Sequence, residues 1–309
     1  MPMMPTSSHH RPRTVSAIFE RLAAQPTPAV VFYGHDGGRV ELSGRVFENW
    51  VAKTANLLMD DLGLMTGDRT LVEPSMHWRN AVVMAAAWRI GATVELRTPD
   101  ESQSSVGAGE PAALAVALVD SRNAPADSHD QVVGAGDRAV EAHDQTAVSP
   151  REAPDLPTPP RTAPPMAQNP AFQAQADDLM LLAYPALAMS LPQDQLPPGA
   201  IDFCAEVRAH GDHFSAVPAP AESQPALVAG PLLWTTGDLL TQATTHADQL
   251  GAHNSPVTAV HLDSSTWSPA LLAGALGAWM TGTAVVITDR TPENVEHLLA
   301  SEKVQLAWT

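Results

Sequence analysis

Short apolar runs and longer helical patterns alternate along the first third of the chain. The run AVVFY at 29–33 is apolar and β-branched, and RTLVE at 69–73 has the same character, so both are predicted to be strands. After Ser43 the apolar residues recur at helical spacing until a stop at Gly63, and the apolar stretch at 78–90 predicts a second helix. This order of strand, helix, strand, helix and strand is typical of a parallel sheet with covering helices.

The last third of the chain repeats this alternation with clearer helix starts. Thr235 and Asp238 have the spacing of a capping box, which predicts a helix that begins beside them. Ser268 and Thr291 each stand before a proline, which is the order of an N-cap residue and a first helical residue. The runs VTAVHL, TAVVIT and VQLAW predict the strands between these helices.

A proline-rich segment separates the two alternating regions. There are 8 prolines between Pro150 and Pro170, and proline lacks the N–H donor that helices and central strands need. We interpret 141–176 as a linker or loop. The predicted organisation is therefore a first α/β subdomain at 1–140 and a second α/β subdomain at 177–309.

The two regions also resemble each other in sequence. WRIGATVEL and WMTGTAVVI share Trp88 with Trp279 and Gly91 with Gly282, and each follows a helix pattern of similar length. A chance likeness between two helix–strand units is the alternative to a true repeat. The repeat predicts an α/β fold of two related parallel-sheet subunits, each a βαβαβ unit with covering helices.

Composition and charge narrow the possible partners. The formal net charge is −17 and the sequence pI is near 4.9, which argues against nucleic acid and anionic membranes as partners because both require a basic surface. Cys204 is the single cysteine, so an intramolecular disulfide and a thiolate metal cluster are excluded, and we interpret it as an inert thiol. With no secretory signal pattern and no long apolar run, we expect a cytoplasmic protein.

Two long segments carry motifs of a known superfamily. Leu42–Ala92 contains Gly-Asp-Arg at 67–69 and Gly-Ala at 91–92, and His261–Ile287 contains Asp263 and Trp267 at the spacing of an FDxSxWE motif. These segments resemble the front portion of the adenylate-forming superfamily, which comprises AMP-binding and acyl-CoA synthetase-like proteins. The size and layout also resemble a small actinobacterial family of truncated adenylation domains. The resemblance implies a large domain that contains two related sheet subdomains.

The chain departs from that superfamily where ATP would bind. Thr236 and Gly237 suggest the phosphate loop TSGTTGxPKG, but Asp-Leu-Leu follows them and the next lysine is Lys303. Phosphate loops need close backbone amides and a lysine, so we interpret this Thr-Thr-Gly as a helix start. The superfamily's ribose-binding Asp and C-terminal catalytic Lys would lie beyond Thr309. The resemblance therefore predicts a degenerate, non-catalytic homologue that acts as a binding or interaction module.

The rival hypothesis is a truncated acyl-adenylate or acyl-CoA ligase that a partner chain completes. We expect no cofactor under the first hypothesis and ATP with Mg²⁺ only under the rival. The expected partner is another protein or a small carboxylate-type ligand, and a small ligand in the crevice at the strand ends is a third possibility.

Two residues are candidates for substrate contact and none for catalysis. By analogy with amino-acid-activating relatives, Asp263 would meet a substrate amine; a solvated strand-end carboxylate is the alternative. Trp267, from the same motif, is the second candidate for substrate binding. Trp88 and Trp279 are interpreted as core residues. His210 and His213 have metal-like spacing, but no partner ligands are evident, so we interpret them as loop residues.

Overall fold

The computed structural model describes residues 12–35, 37–97, 112–119, 176–215, 218–289 and 295–309. Most of the predicted linker at 141–176, including its proline-rich part, lies outside these residues, as does the predicted helix start at Thr291.

The described chain forms seven α-helices and twelve strands in the alternating order that the sequence predicts. The helices are α1 Val15–Ala23, α2 Gly44–Asp60, α3 Trp78–Ile90, α4 Phe203–Glu206, α5 Thr236–Gly251, α6 Pro269–Thr281 and α7 Val295–Ser301. The strands are β1 Pro28–Tyr33, β2 Arg39–Ser43, β3 Arg69–Val72, β4 Thr93–Leu96, β5 Ala112–Val119, β6 Ala176–Ala183, β7 Ile201–Asp202, β8 Pro225–Ala229, β9 Leu232–Thr235, β10 Ala259–Leu262, β11 Ala284–Thr288 and β12 Leu306–Trp308. Short 3₁₀ turns lie at Gln193–Gln195 and Val207–Ala209.

The predicted helix starts are confirmed by their capping bonds. The Ser43 and Ser268 hydroxyls each accept the backbone N–H three residues later, which satisfies donors that the first helical turn leaves unpaired. Thr235 and Asp238 form the complete predicted capping box. The Thr-Thr-Gly sequence is therefore the start of α5, as the sequence analysis interpreted it.

Two sheets hold the strands, and both are mainly parallel. The five-stranded sheet has the order β12-β10-β11-β1-β2, and the seven-stranded sheet has the order β7-β6-β5-β3-β4-β8-β9. Antiparallel pairing is limited, among these strands, to the hairpins β1–β2 and β8–β9. This is the α/β architecture of parallel sheets with covering helices that the sequence predicts.

The chain passes twice through the same unit, a hairpin followed by helix, strand, helix and strand. The first unit runs from β1 to β4 and the second from β8 to β11. In both units the second long helix ends in a left-handed glycine, Gly91 with φ 89° and Gly282 with φ 80°. Glycine tolerates this conformation because it has no Cβ.

Each hairpin joins the sheet of the other unit, and we call this arrangement the hairpin exchange. β1 pairs in parallel with β11, where Val30 faces Val285, and β8 pairs in parallel with β4, where Leu227 faces Val94. Each sheet therefore contains strands from both sides of the predicted linker. The sheets do not follow the predicted division into 1–140 and 177–309, because sequence periodicity gives no information on which strands become neighbours.

Two equivalent tryptophans stabilise the hairpin exchange through hydrogen bonds. Their burial confirms the interpretation of both as core residues. The indole N–H of Trp88 donates to the carbonyl of Ala226 in β8 at 2.8 Å, and that of Trp279 donates to the carbonyl of Ala29 in β1 at 3.0 Å. Both side chains are buried in the main apolar core. A buried indole N–H needs such an acceptor, so each tryptophan fixes the partner hairpin.

A cut in the linker tests the hairpin exchange. A specific protease site inserted between residues 150 and 170, followed by cleavage, should leave the two fragments folded and co-eluting in gel filtration, because both sheets hydrogen-bond strands from both fragments. The fragments should separate only in denaturant. Elution as two independent folded species in native buffer would contradict the exchange.

The helix pair α5–α6 packs too closely for a side chain at Gly277. A Cβ there would lie 2.5 Å from the Ala243 carbonyl oxygen and 2.7 Å from the Cβ of His246. We expect Gly277→Ala to lower the free energy of unfolding by about 1–3 kcal/mol, the usual cost of overpacking. The control is Gly251→Ala at the end of α5, where a Cβ meets nothing within 4 Å. Equal unfolding midpoints in urea for the two variants would refute the close packing.

Candidate functional site

The carboxyl ends of the strands in the two sheets meet at the loops that follow β3 and β10. The N–H of Met76 donates to the carbonyl of Ser265 at 3.0 Å, and the N–H of Trp267 donates to the carbonyl of Pro74 at 2.6 Å. At the 191-residue offset that relates Trp88 to Trp279, Pro74 is equivalent to Ser265 and Met76 to Trp267, so the two bonds are equivalent to each other. The two loops are therefore equivalent partners, and they bring the strand ends of both sheets together.

We call this region the carboxyl edge. It is the place where ligands bind in open α/β sheets, since helix and strand termini leave polar groups there. Polar residues at or just after these strand ends include His35, Glu73, Tyr184, Asp263 and Asp289, and Gly34 stands between β1 and His35.

Asp263, the first predicted contact residue, lies at this edge. It directly follows β10 and is exposed to solvent, and its backbone N–H donates to the carbonyl of Trp308 at 2.8 Å. The carboxylate is accessible to a ligand, so its predicted role in binding stays a prediction.

Trp267, the second predicted contact residue, is packed inside the protein. Its side chain is 2% exposed and belongs to the main apolar core. The indole N–H has no hydrogen-bond partner among the described residues. The structure thus brings Asp263 and Trp267 into one loop but presents only Asp263 to solvent, and substrate contact by Trp267 remains untested.

A polar cluster that the sequence patterns do not predict joins the two sheets. The Asp289 carboxylate, after β11, accepts from the His35 ring, after β1, and from the Tyr184 hydroxyl, after β6. The same hydroxyl accepts the backbone N–H of His35 at 2.9 Å, and the two rings stack with centroids 4.2 Å apart. Carboxylate, imidazole and phenol satisfy one another, so this cluster works as a clasp between the sheets.

His77 lies beneath the clasp and is fully buried. Its Nδ1 accepts the N–H of Arg79, and its Nε2 faces the carbonyl of Tyr184 at 3.1 Å, so the neutral ring carries its proton on Nε2. Burial, with help from the nearby Arg79 guanidinium, holds the pKa of His77 well below its usual value. The residue is therefore the neutral N-cap of α3 and a support for the loop after β6.

The loop after β6 is fixed by two guanidinium groups. Arg79 donates to the carbonyls of Ala183, Pro185 and Ala188 at 2.7–3.0 Å, and Arg208 donates to the carbonyl of Met189 at 3.0 Å. This loop therefore keeps a defined backbone without the glycine-rich sequence of a phosphate loop.

Two further ionisable groups near the edge are buried. Burial raises the pKa of the Glu73 carboxyl, although its oxygens accept from the Ser75 hydroxyl and the Leu118 N–H. Burial also raises the pKa of the Cys204 thiol, which agrees with its interpretation as an inert thiol.

The other histidine candidates do not form a metal centre. His210 lies after a 3₁₀ turn, and its Nε2 faces the carboxylate of Asp61 at 3.2 Å. Within the described residues no group of three or more His, Cys, Asp or Glu side chains could hold a metal ion. In the same part of the chain, no helix has the length and apolar character needed to cross a membrane.

Two of the three clasp residues stand at sequence positions that could have marked them as site candidates. His35 and Asp289 both follow strands that the sequence predicts, and polar residues at such positions are candidates for a site. Their proximity could not be predicted, since it depends on the pairing of β1 with β11.

Burial of the neutral His77 ring should make the folded protein less stable in acid. Because the folded protein holds the ring neutral, only the unfolded chain takes up this proton as pH falls below the ordinary histidine pKa of about 6.5. We expect the free energy of unfolding to fall less between pH 7 and pH 5 in His77→Asn, which keeps an N-cap acceptor, than in the wild type. The exposed His253→Asn is the control. Parallel pH profiles for all three proteins would show that His77 titrates normally.

Known proteins match this chain in sequence over only a short stretch. No family model matches the chain. A Mycobacterium tuberculosis protein, whose name is a family number and states no activity, is 38% identical over 87 residues, which are 28% of this chain and 35% of that protein.

Solved structures match over nearly the whole chain. An acyl-CoA synthetase of Brucella canis has a TM-score of 0.64 at 16% identity, and covers 95% of this chain and 46% of its own. The coronafacic acid ligase of Pectobacterium brasiliense has a TM-score of 0.62 at 11% identity, with 95% and 49% covered. A Mycobacterium tuberculosis fatty acyl CoA synthetase has a TM-score of 0.57 at 12% identity, with 95% and 48% covered. The chain therefore has the fold seen in these structures and spans about half of their length.

Proposed function

We propose that the protein is a non-catalytic homologue of the adenylation domain that acts as an interaction module. The observation that carries this proposal is the position of Lys53 and Lys303, the two lysines of the sequence. The Lys53 ammonium group donates to the carbonyl of His210, and Lys303 lies in the turn before β12, at the amino end of its sheet. Neither lysine is at the carboxyl edge, where a phosphate loop would need one.

Three arginines beside the carboxyl edge, within the described part of the chain, are already engaged. Arg79 is buried and donates to three loop carbonyls. Arg97 donates to the Glu95 carboxylate at 2.6 Å, and Arg39 donates to that of Glu41, also at 2.6 Å. A triphosphate would have to break these bonds before any of these groups could neutralise its charge.

The carboxylates of the edge also oppose an anionic ligand. Asp263 is exposed, and Asp289 is partly exposed within the clasp. The negative charges of these two aspartates would repel a phosphate or carboxylate that binds beside them, and this repulsion weakens binding. These carboxylates and the engaged arginines weigh against ATP as a ligand, and they support a protein partner over a small carboxylate-type ligand.

An exchange assay tests this proposal. We expect the purified protein, with Mg²⁺ and mixed carboxylic and amino acids, to give no ATP–pyrophosphate exchange above a heat-inactivated sample. Calorimetric titration should show no saturable heat at ATP concentrations of about 1 mM. The acyl-CoA synthetase of Brucella canis, assayed in parallel, shows that the conditions permit the reaction.

Exchange above the heat-inactivated sample would overturn the proposal. It would support the rival function, a truncated acyl-adenylate or acyl-CoA ligase that holds ATP through residues other than these arginines and lysines.

A further inference from the structure

Two methionine side chains of the described chain are well exposed to solvent. Met65, in the turn before β3, is 64% exposed, and Met189, in the loop after β6, is 57% exposed. The other described methionines are half-buried or buried: Met59, Met76, Met84, Met180 and Met280. An exposed thioether is open to attack by peroxide, which adds one oxygen atom to the sulfur. Met65 and Met189 are therefore the candidates for methionine oxidation among the described residues.

Met189 differs from Met65 because its sulfur contacts a guanidinium group. Arg208 Nη1 donates to the Met189 sulfur at 3.5 Å, and Arg208 Nη2 donates to the Met189 carbonyl at 3.0 Å. No other methionine in the described part of the chain has a hydrogen bond to its sulfur. The guanidinium group thus binds one residue through both its side chain and its backbone.

Arg208 is itself held by a packed helix. Its Nε donates to the carbonyl of Cys204 at 3.1 Å, and Cys204 lies buried in α4. All three nitrogens of the guanidinium group therefore have acceptors, and two of these acceptors belong to Met189. Because the group is planar and rigid, this bond to α4 keeps its other donors directed at Met189.

A sulfoxide would accept from these donors better than the thioether does. Thioether sulfur is a weak acceptor, whereas oxidation converts the apolar side chain into a polar one with an oxygen acceptor. A hydrogen bond from a charged guanidinium group to such an oxygen is stronger than a bond from a neutral donor. The Met189 side chain is exposed and has three rotatable bonds, so its terminal atoms are free to bring the oxygen to Arg208.

We propose that Met189 is a modification site, at which hydrogen peroxide forms a methionine sulfoxide that Arg208 binds. The sulfur gives an electron pair to one peroxide oxygen, so that an S–O bond forms, the O–O bond breaks and hydroxide leaves. The hydroxide takes the proton of the transferred oxygen and departs as water. Sulfur is oxidised by two electrons and peroxide is reduced by two. The modification makes the surface of the loop after β6 more polar and fixes this loop more firmly.

Hydrogen exchange on either side of Met189, followed by NMR, tests the proposal with the full chain. The N–H of Ala188 donates to the carbonyl of Pro185 at 2.8 Å. The N–H of Leu191 donates to the carboxylate of Asp202 at 2.7 Å, so both amides report on opening of the loop. Once peptide mapping by mass spectrometry shows that peroxide has oxidised Met189, both amides should exchange at least about threefold more slowly. Methionine sulfoxide reductases for the two sulfoxide epimers should restore the original rates.

Matched variants assign the effect to the two residues. Each variant is compared with its own unoxidised sample, so the direct effect of the substitution on the loop cancels. In Arg208→Gln, oxidation of Met189 should not slow the exchange, because the charged donor is absent. In Met189→Leu, oxidation of the remaining methionines should leave both amides unchanged. The control Met65→Leu removes the other exposed methionine and should respond to peroxide as the wild type does.

Any of four results would rule out this modification site. They are a Met189 that stays unoxidised while Met65 is oxidised, unchanged or faster exchange in the oxidised wild type, an equal slowing in the oxidised Arg208 variant, and any slowing in oxidised Met189→Leu. If Arg208→Gln does not fold, Arg208→Lys replaces it. Lysine lacks the planar fork that donates to three acceptors at once, so the slowing should again be smaller than in the wild type.

Discussion

The pairing of each hairpin with the sheet of the other unit is the constraint on which the rest of this structure depends. β1 lies on β11 and β8 lies on β4, so neither sheet is complete without strands from both halves of the chain. The buried indoles of Trp88 and Trp279 secure the two contacts through hydrogen bonds to hairpin carbonyls. An unpaired buried N–H is costly, so these bonds favour this pairing over alternatives in which each hairpin stays in its own unit.

The hairpin exchange brings the strand ends of both sheets together at the carboxyl edge, and side chains of the protein occupy that edge. Because the equivalent loops after β3 and β10 bond to each other, the strand ends of both sheets converge. Side chains of the protein itself then satisfy the polar groups there, with Asp289 holding His35 and Tyr184, and Arg79 holding the loop after β6. These bonds hold the two sheets together at the region that serves ligand binding in many α/β folds.

The two units share interior features and differ in their edge strands. Their interior features are repeated, including the left-handed glycines and the tryptophan bonds. Their edge strands differ in charge, with an ion pair on β2 and exposed leucines on β9. Packing restricts change in the core, whereas an edge strand can be protected or opened by one or two substitutions.

The sequence by itself determined the local structure of this protein. Periodicity and capping residues predicted the strands and helices, the start of α5 at Thr235, and the repeat that relates Trp88 to Trp279, because these features depend on neighbours within a few residues. Only the tertiary structure decided the strand order, the hairpin exchange and the clasp of His35, Tyr184 and Asp289. It also decided that Asp263 is exposed and Trp267 is buried, although both lie in one motif. The hairpin exchange and the clasp depend on contacts between residues more than 100 positions apart, and such contacts leave no periodic pattern in a single sequence.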